Sequence, residues 1–535
     1  MDVARQSARG SVVLFAGNLV ATAGLTVASI LVARLLGPSG YGGFALALTL
    51  PNILQLFAAL GVNAAVTRFV AFHLARGEPE EARRMAESAL LFTLLSGVVL
   101  SGLSYAAAGP IATHLFGRPY LAPEIRLASA VIVGQALVNS AIAAAIGWNS
   151  MSLAAVANVA QASLRLVLSP LLVLAGLGLA GAVEGQSLGV VLGAGAAVAV
   201  LYWRMIGASR LGWGAFVSDL RRMLGYGLPA FSLNVSSGVW PYYLPVVLAA
   251  AVTNVTIGYY QAAYNFTVAV TLVASATSSA LFAAFAAIQG GGGDAARAVR
   301  LAVRYVGYVA MPVVFLLAAT APQLLGLFFG ASFVPGSHYL SLFAVATSPI
   351  LVGLTVLPVF FNGVGRPGLT LATVGLGALV LFVGAPLLAI GLDMGVDGVI
   401  YSLLLSNVVS TVAGLVLLRA RFAAGIDLRA AVATLASGAA SYAACAGLSS
   451  HSLAVTLALK VGVFSAGYLT LAPLSRAMTI EDFDLVGRSL EGLPVLHGLV
   501  SAILAYERLV ARLAWRRSSP RVEVIPRGGG DGRPS

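Results

Sequence analysis

The run LAAVANVAQASLRLVLSPLLVLAGLGLAGAVEGQSLGVVLGAGAAVAVLYW, Leu153 to Trp203, holds two apolar stretches, 153–175 and 182–203, and only two charges, Arg165 and Glu184. A helix of about 20 residues spans about 30 Å of hydrocarbon and bonds all of its own backbone groups, so each stretch suffices to cross a bilayer. Similar stretches recur at 11–35, 41–63, 87–109, 126–148, 226–249, 257–288, 305–329, 339–362, 368–391, 397–418, 430–448 and 454–475. The pattern predicts an all-α polytopic membrane protein with about fourteen transmembrane helices. Composition agrees: 59% of the 535 residues are hydrophobic and 9% charged, with mean hydropathy +0.94, so nearly every surface must face lipid or another helix.

Short basic loops stay cytoplasmic, so orientation follows from the arginines. Alternate loops and the C-terminal tail carry 26 of them, while the opposite set holds Arg34, Arg118 and Arg126. Both termini are therefore placed in the cytoplasm of a cell that carries this chain in its plasma or inner membrane. The formal charge of +12 is spread loop by loop along one face. That suits orientation and attraction to anionic lipid rather than nucleic-acid binding. The single cysteine, Cys445, excludes an intrachain disulfide framework. The first apolar stretch is too long for a signal-peptide core and is read as the first helix.

The chain also repeats itself. At an offset of 213, Gly77 meets Gly290, Glu81 meets Asp294, Arg84 meets Arg297, Gly117 meets Gly330, Asn149 meets Asn362, and Glu184-Gly185 meets Asp397-Gly398. Upstream, Gly40-Tyr41 meets Gly258-Tyr259 at an offset of 218. Two six-helix lobes, residues 1–222 and 223–429, are expected to enter the membrane in the same direction. Two extra C-terminal helices (430–477) and a cytoplasmic tail (478–535) follow.

Paired bundles leave a seam, which is where transporters place a cavity. In the fifth span Asn158, Gln161, Arg165 and Ser169 recur at helical spacing on one face. Asn52, Gln55 and Asn63 do the same in the second span, Asn18 lies in the first, and Gln135 and Asn139 lie in the fourth. Such amides commonly join helices by hydrogen bonds worth ~0.6–2 kcal/mol each. Arg165 is different, because a guanidinium in mid-span costs at least ~2.5–3.5 kcal/mol unless it meets water or a partner. No acid lies deep in any span to pair with it, and its counterpart at the 213 offset is Ala378. A cation for an anion-binding cavity is one reading, since guanidinium binds phosphate oxygens through a planar fork. Snorkelling or a structural hydrogen-bond hub are the others. Lys460, near the predicted outer end of the last span, reads as a snorkelling residue. Arg34 and Arg68, at helix ends, suit a boundary role as well as a cavity role. His114, His338 and His451 show no ligand spacing, so neither a metal nor any other cofactor is expected. All 19 acids fall in loops, tails or helix ends, which gives no support to a carboxylate proton relay or to catalysis.

Family resemblance rests on ARLLGPSGYGGFALALTLPN (Ala33–Asn52), LGVNAAVTRFVAFHLARGEPEEARR (Leu60–Arg84), LGYGLPAF (Leu224–Phe231), IGYYQAAYN (Ile257–Asn265), LLGLFFGASFVPG (Leu324–Gly336) and FNGVGRPGL (Phe361–Leu369). These segments resemble the polysaccharide flippases of the multidrug/oligosaccharidyl-lipid/polysaccharide exporter superfamily. The resemblance implies a flippase that moves a polyprenyl-phosphate- or polyprenyl-pyrophosphate-linked oligosaccharide outward, with the sugar in the interlobe cavity and the lipid tail in the bilayer. It implies as partners the membrane lipids and the glycosyltransferases or polymerase of the same pathway. Members of this group often carry an acid in helix 7, whereas WPYYLPVV, Trp240–Val247, has none. Tyr242 and Tyr243 in that segment suit stacking on sugar rings, or an interfacial or packing role. Gln261 and Asn265 of the eighth span complete the expected substrate-binding set. The competing functions are export of drugs or other amphipaths, which a lone cavity cation disfavours for cationic cargo, and a membrane glycosyltransferase or polymerase.

In the tail, Leu496, Leu499, Val500, Ile503, Val510 and Leu513 recur beside Arg508 and Arg512, which predicts an amphipathic helix on the anionic inner leaflet. Thr479 and Asp482 suit a helix N-terminal cap, and RGGGDGRPS from Arg527 suits a disordered end.

Overall fold

The computed structural model describes residues 2–207, 212–267, 285, 294–478, 482 and 494–515, and all of its described elements are helical. The N-terminal lobe comprises α1 (Asp2–Ala58), α2 (Val62–Ala75), α3 (Pro79–Pro110), α4 (Ala122–Ala128), α5 (Ala130–Gly147), α6 (Met151–Leu172) and α7 (Gly178–Leu201). The C-terminal lobe comprises α8 (Trp213–Gly238), α9 (Trp240–Ala251), α10 (254–267), α11 (Ala295–Leu324), α12 (Ser337–Thr347), α13 (Val356–Gly363), α14 (Pro367–Pro386) and α15 (Gly395–Phe422). Outside the lobes lie α16 (Leu428–Ala446), α17 (Leu453–Leu474) and α18 (Pro494–Trp515). Among the described residues nine helical runs are long and apolar enough to cross a membrane. The chain is a multi-pass membrane protein.

Helix α1 contains the first two spans. A straight helix of 57 residues would reach about 85 Å, well beyond one bilayer. Gly37, at φ 68°, turns the chain between them, and Pro38 follows where no backbone donor is required. Hydropathy alone blurs several such breaks. The second span, read as 41–63, ends at Ala58, and Leu60 and Gly61 take positive φ before α2 begins. The span read as 339–362 is broken into α12 and α13 by a 3₁₀ turn, Ser348–Val352, and Gly353 at φ 113°. The span read as 226–249 is divided between α8 and α9. Much of the span read as 257–288 lies outside the described residues, as do Thr479 and the tail from Arg527.

Helix beginnings repeat between the lobes: Pro79, Met151 and Gly178 recur as Ala295, Pro367 and Gly395, at intervals of about 216 residues. The 213 register is therefore about three residues short at these helix starts, and the counterpart of Arg165 moves from Ala378 to Leu381. Helices α3 and α11 both end in a five-residue π-helical turn, as do α6 and α14. All four turns lie on the face whose loops are poor in arginine. Within the N-lobe α6 packs between α1 and α7, and α5 packs on α3 and α7; in the C-lobe α14 lies along α15, and α16 and α17 pack outside on α11.

Candidate functional site: the seam between the lobes

Lipid gives no hydrophobic drive for helix association, so close contact depends on small residues. Helix α7 carries Gly181, Gly185, Gly189 and Gly193 at four-residue spacing. A Cβ at 189 would lie 2.9 Å from both the backbone N and Cγ of Arg165, and one at 193 would lie 3.0 Å from Cβ of Gln161. This stripe draws the polar face of α6 against α7. There the Arg165 side chain, 9% exposed, donates from Nη2 to Gln135 Oε1 at 3.2 Å. Gln161 donates to the same oxygen at 2.7 Å, and Gln135 donates onward to Asn139 Oδ1 at 3.0 Å. No carboxylate joins this cluster, and the buried Nε of Arg165 has no hydrogen-bond partner among the described residues. Tyr242 of α9, in the opposite lobe, is within electrostatic reach of the guanidinium.

The other expected site residues separate. Asn158 donates to Asn18 Oδ1 at 2.8 Å, joining α6 to α1, and Ser169 donates to the Ala182 carbonyl at 3.1 Å. Asn52 and Gln55 are half-buried on α1, with Gln55 Oε1 unpartnered among the described residues. Asn63 lies beyond the Gly61 break in the first turn of α2, off the stripe it was read into. Tyr243 donates to the Phe382 carbonyl at 2.9 Å and packs on that ring at 4.6 Å. Gln261 is half-buried on α10.

Asn265 belongs to a latch at the arginine-poor end. It donates to Tyr41 Oη at 2.8 Å and Ser29 Oγ at 3.1 Å, tying α10 to both halves of α1. Arg34 reaches across the seam to the carbonyls of Phe328 (2.6 Å) and Leu327, which close the π turn after α11. Arg118 donates to the carbonyls of Ala249 and Val252 at the C-terminus of α9, both at 2.7 Å. Each guanidinium thus caps the carbonyl end of a helix in the other lobe, where the helix dipole favours a cation. The backbones also touch: a Cβ at Gly42 would fall 2.0 Å from the Asn254 carbonyl oxygen, and one at Gly258 2.0 Å from that of Pro38. Sequence reasoning left Arg34 open between a boundary and a cavity role and used Arg118 only to orient the chain, because their acceptors are backbone atoms distant in the chain.

Lys460 is corrected as well. It does not snorkel but lies buried, 9% exposed, donating to the Ala319 carbonyl at 2.8 Å and facing Gln323 Oε1 at 3.4 Å on α11. It fastens α17 to the C-lobe.

A separate cavity of about 350 Å³ lies inside the C-lobe. Its wall includes Trp240, Tyr264, Phe343, Thr355, Asn407 and Ser410. Sequence reading missed this space, since its walls come from α9, α10, α12, α14, α15 and the turn before α13, and no single helix face announces it.

The described helices form two bundles that meet at a seam with the buried Arg165 beside it. Residues 31–337 match the family described as polysaccharide biosynthesis protein, and the chain belongs to that family. Solved structures share the fold. The lipid II flippase MurJ in an inward closed conformation is 13% identical over 87% of this chain and 98% of its own, at TM-score 0.68. An inward-facing multidrug resistance transporter of the MATE family is 19% identical over 77% and 98%, at 0.66. A transporter of the same superfamily from Pyrococcus furiosus is 21% identical over 78% and 95%, at 0.55. No curated protein matches the sequence.

Proposed function

We propose that this protein flips a polyprenyl-phosphate- or polyprenyl-pyrophosphate-linked oligosaccharide from the cytoplasmic to the outer leaflet of the cell membrane, by rocking of its two lobes. Both termini and the arginine-rich loops face the cytoplasm in this reading. The observation that carries it is Arg165: buried, without an acid, and with Nε unpaired among the described residues. A guanidinium held this way gains most from phosphate oxygens, which accept from its fork. Gln161, Gln135 and Asn139 extend the polar surface beside it, and Asn18 with Asn158 continues it along α1. Membership of a polysaccharide biosynthesis family fits such a cargo, supplied and consumed by glycosyltransferases and a polymerase. Export of a cationic drug is disfavoured, because the same charge repels it.

The test is flipping in proteoliposomes that contain a polyprenyl-pyrophosphate oligosaccharide, at equal amounts of inserted protein. Arg165→Ala should abolish outward appearance of the lipid, since loss of one desolvated charge-assisted contact weakens binding by ~2–5 kcal/mol. Arg165→Lys should restore part of it, because an ammonium lacks the fork. Wild-type rates in the alanine variant would leave Arg165 a structural residue and remove the basis of the reading.

A further inference from the structure

The cavity inside the C-lobe has the size of a small-ligand pocket, for which about 300–1,000 Å³ is usual. Its lining combines two kinds of group. Aromatic rings form one wall: Trp240 meets Tyr264 edge-on at 5.9 Å, and Phe343 lies 5.9 Å from Tyr264. Neutral polar groups form the other. Thr355 Oγ1 is buried with no hydrogen-bond partner among the described residues. Asn407 donates its amide to the Ala346 carbonyl at 2.8 Å, which leaves its side-chain oxygen to accept. Ser410 stands beside Gly377, where a Cβ would come within 3.0 Å of the serine Cβ, so the glycine keeps this wall open.

None of the described residues that line the cavity carries a charge. A charged ligand would be desolvated there without a counter-ion, and a prenyl chain would leave Thr355 and its neighbours unsatisfied. A neutral sugar ring meets both walls, its C–H faces on the aromatics and its hydroxyls on the amide and hydroxyl groups. Trp240 stands two residues from Tyr242, the residue in reach of Arg165, and Tyr242 is also in electrostatic reach of Tyr264.

We infer that the C-lobe cavity is a binding site for an uncharged sugar unit of the cargo, and that it selects neutral head groups over acidic ones. This rests on the flippase reading. The experiment uses the full-length protein in nanodiscs with three probes: polyprenyl pyrophosphate bearing a glucose disaccharide, the same lipid with glucuronic acid replacing the terminal glucose, and the lipid without sugar. The wild type should bind the neutral glycolipid at least tenfold more tightly than the other two. Thr355→Val, an isosteric change, and Ser410→Ala should each bring the neutral glycolipid to within threefold of the sugarless lipid. Equal binding of neutral and acidic glycolipids, or a preference untouched by both substitutions, overturns the cavity assignment and leaves the flippase reading standing. Binding of none of the three overturns the flippase reading and the cavity assignment with it.

Discussion

Gly189 sets how closely α7 can approach the helix that carries Arg165, because its missing Cβ is the space occupied by the arginine backbone and stem. Gly189→Val should destabilise the N-lobe by ~1–3 kcal/mol through overpacking and should lower flipping along with it. Gly195, on the same helix but facing open space, supplies the contrast: Gly195→Ala should leave the unfolding temperature unchanged or slightly raised. Thermal unfolding in detergent measures both. At this scale Arg165 was legible in the sequence because a lone cation inside an apolar run is itself the signal. The partners of Lys460 were not, since its acceptors lie on α11, and Ala319 and Lys460 are 141 positions apart. Hydropathy registers a charge in a span and says nothing of which carbonyl receives it.

The tail helix α18 packs one face against protein, while Leu509 and Leu513 stay exposed. Its Glu507 is 1% exposed and accepts from Tyr308 Oη of α11 at 2.5 Å, and Tyr506 bonds Thr470 of α17 at 2.8 Å. Burial pushes the Glu507 carboxyl up to about 7, against the Tyr308 hydrogen bond, which favours the charged form. Tyr468 of α17 also faces it, and Arg508 adjoins it in the chain. A raised carboxylate pKa means that the docked helix holds more protons than the free one, so docking is fully supported below about pH 4.5 and loses this support as pH rises through about 7. Hydrogen exchange across 494–515 should therefore quicken between pH 5.5 and pH 8.5, and Glu507→Gln should keep the helix protected at both. Apolar periodicity revealed α18, yet it could not tell lipid from protein as the surface it covers. For the same reason the breaks at Gly61 and Gly353 were invisible, because each interrupts a run that stays apolar on both sides.

Across the whole molecule the lobes touch at both ends of the seam. At the arginine-rich end, a Cβ at Gly61 would lie 2.1 Å from the Gly227 carbonyl oxygen, Phe57 packs edge-on against Phe231 at 5.8 Å, and Arg68 sits 4.4 Å over the Tyr226 ring. At the arginine-poor end the Arg34 and Arg118 caps hold the lobes together. Replacing both with glutamine should favour opening there by at least about tenfold, since hydrogen bonds to charged groups contribute ~1.5–3 kcal/mol each. An impermeant maleimide applied from the outside reads this as faster labelling of a cysteine at Asn139 in a Cys445→Ala background. Unchanged labelling would show that the caps do not hold the seam. Every acceptor in these caps is a peptide oxygen, and the accompanying Ser29, Tyr41 and Asn265 contacts are neutral. Peptide oxygens do not titrate. Acidifying the outer medium therefore cannot unfasten this end by discharging one of its partners.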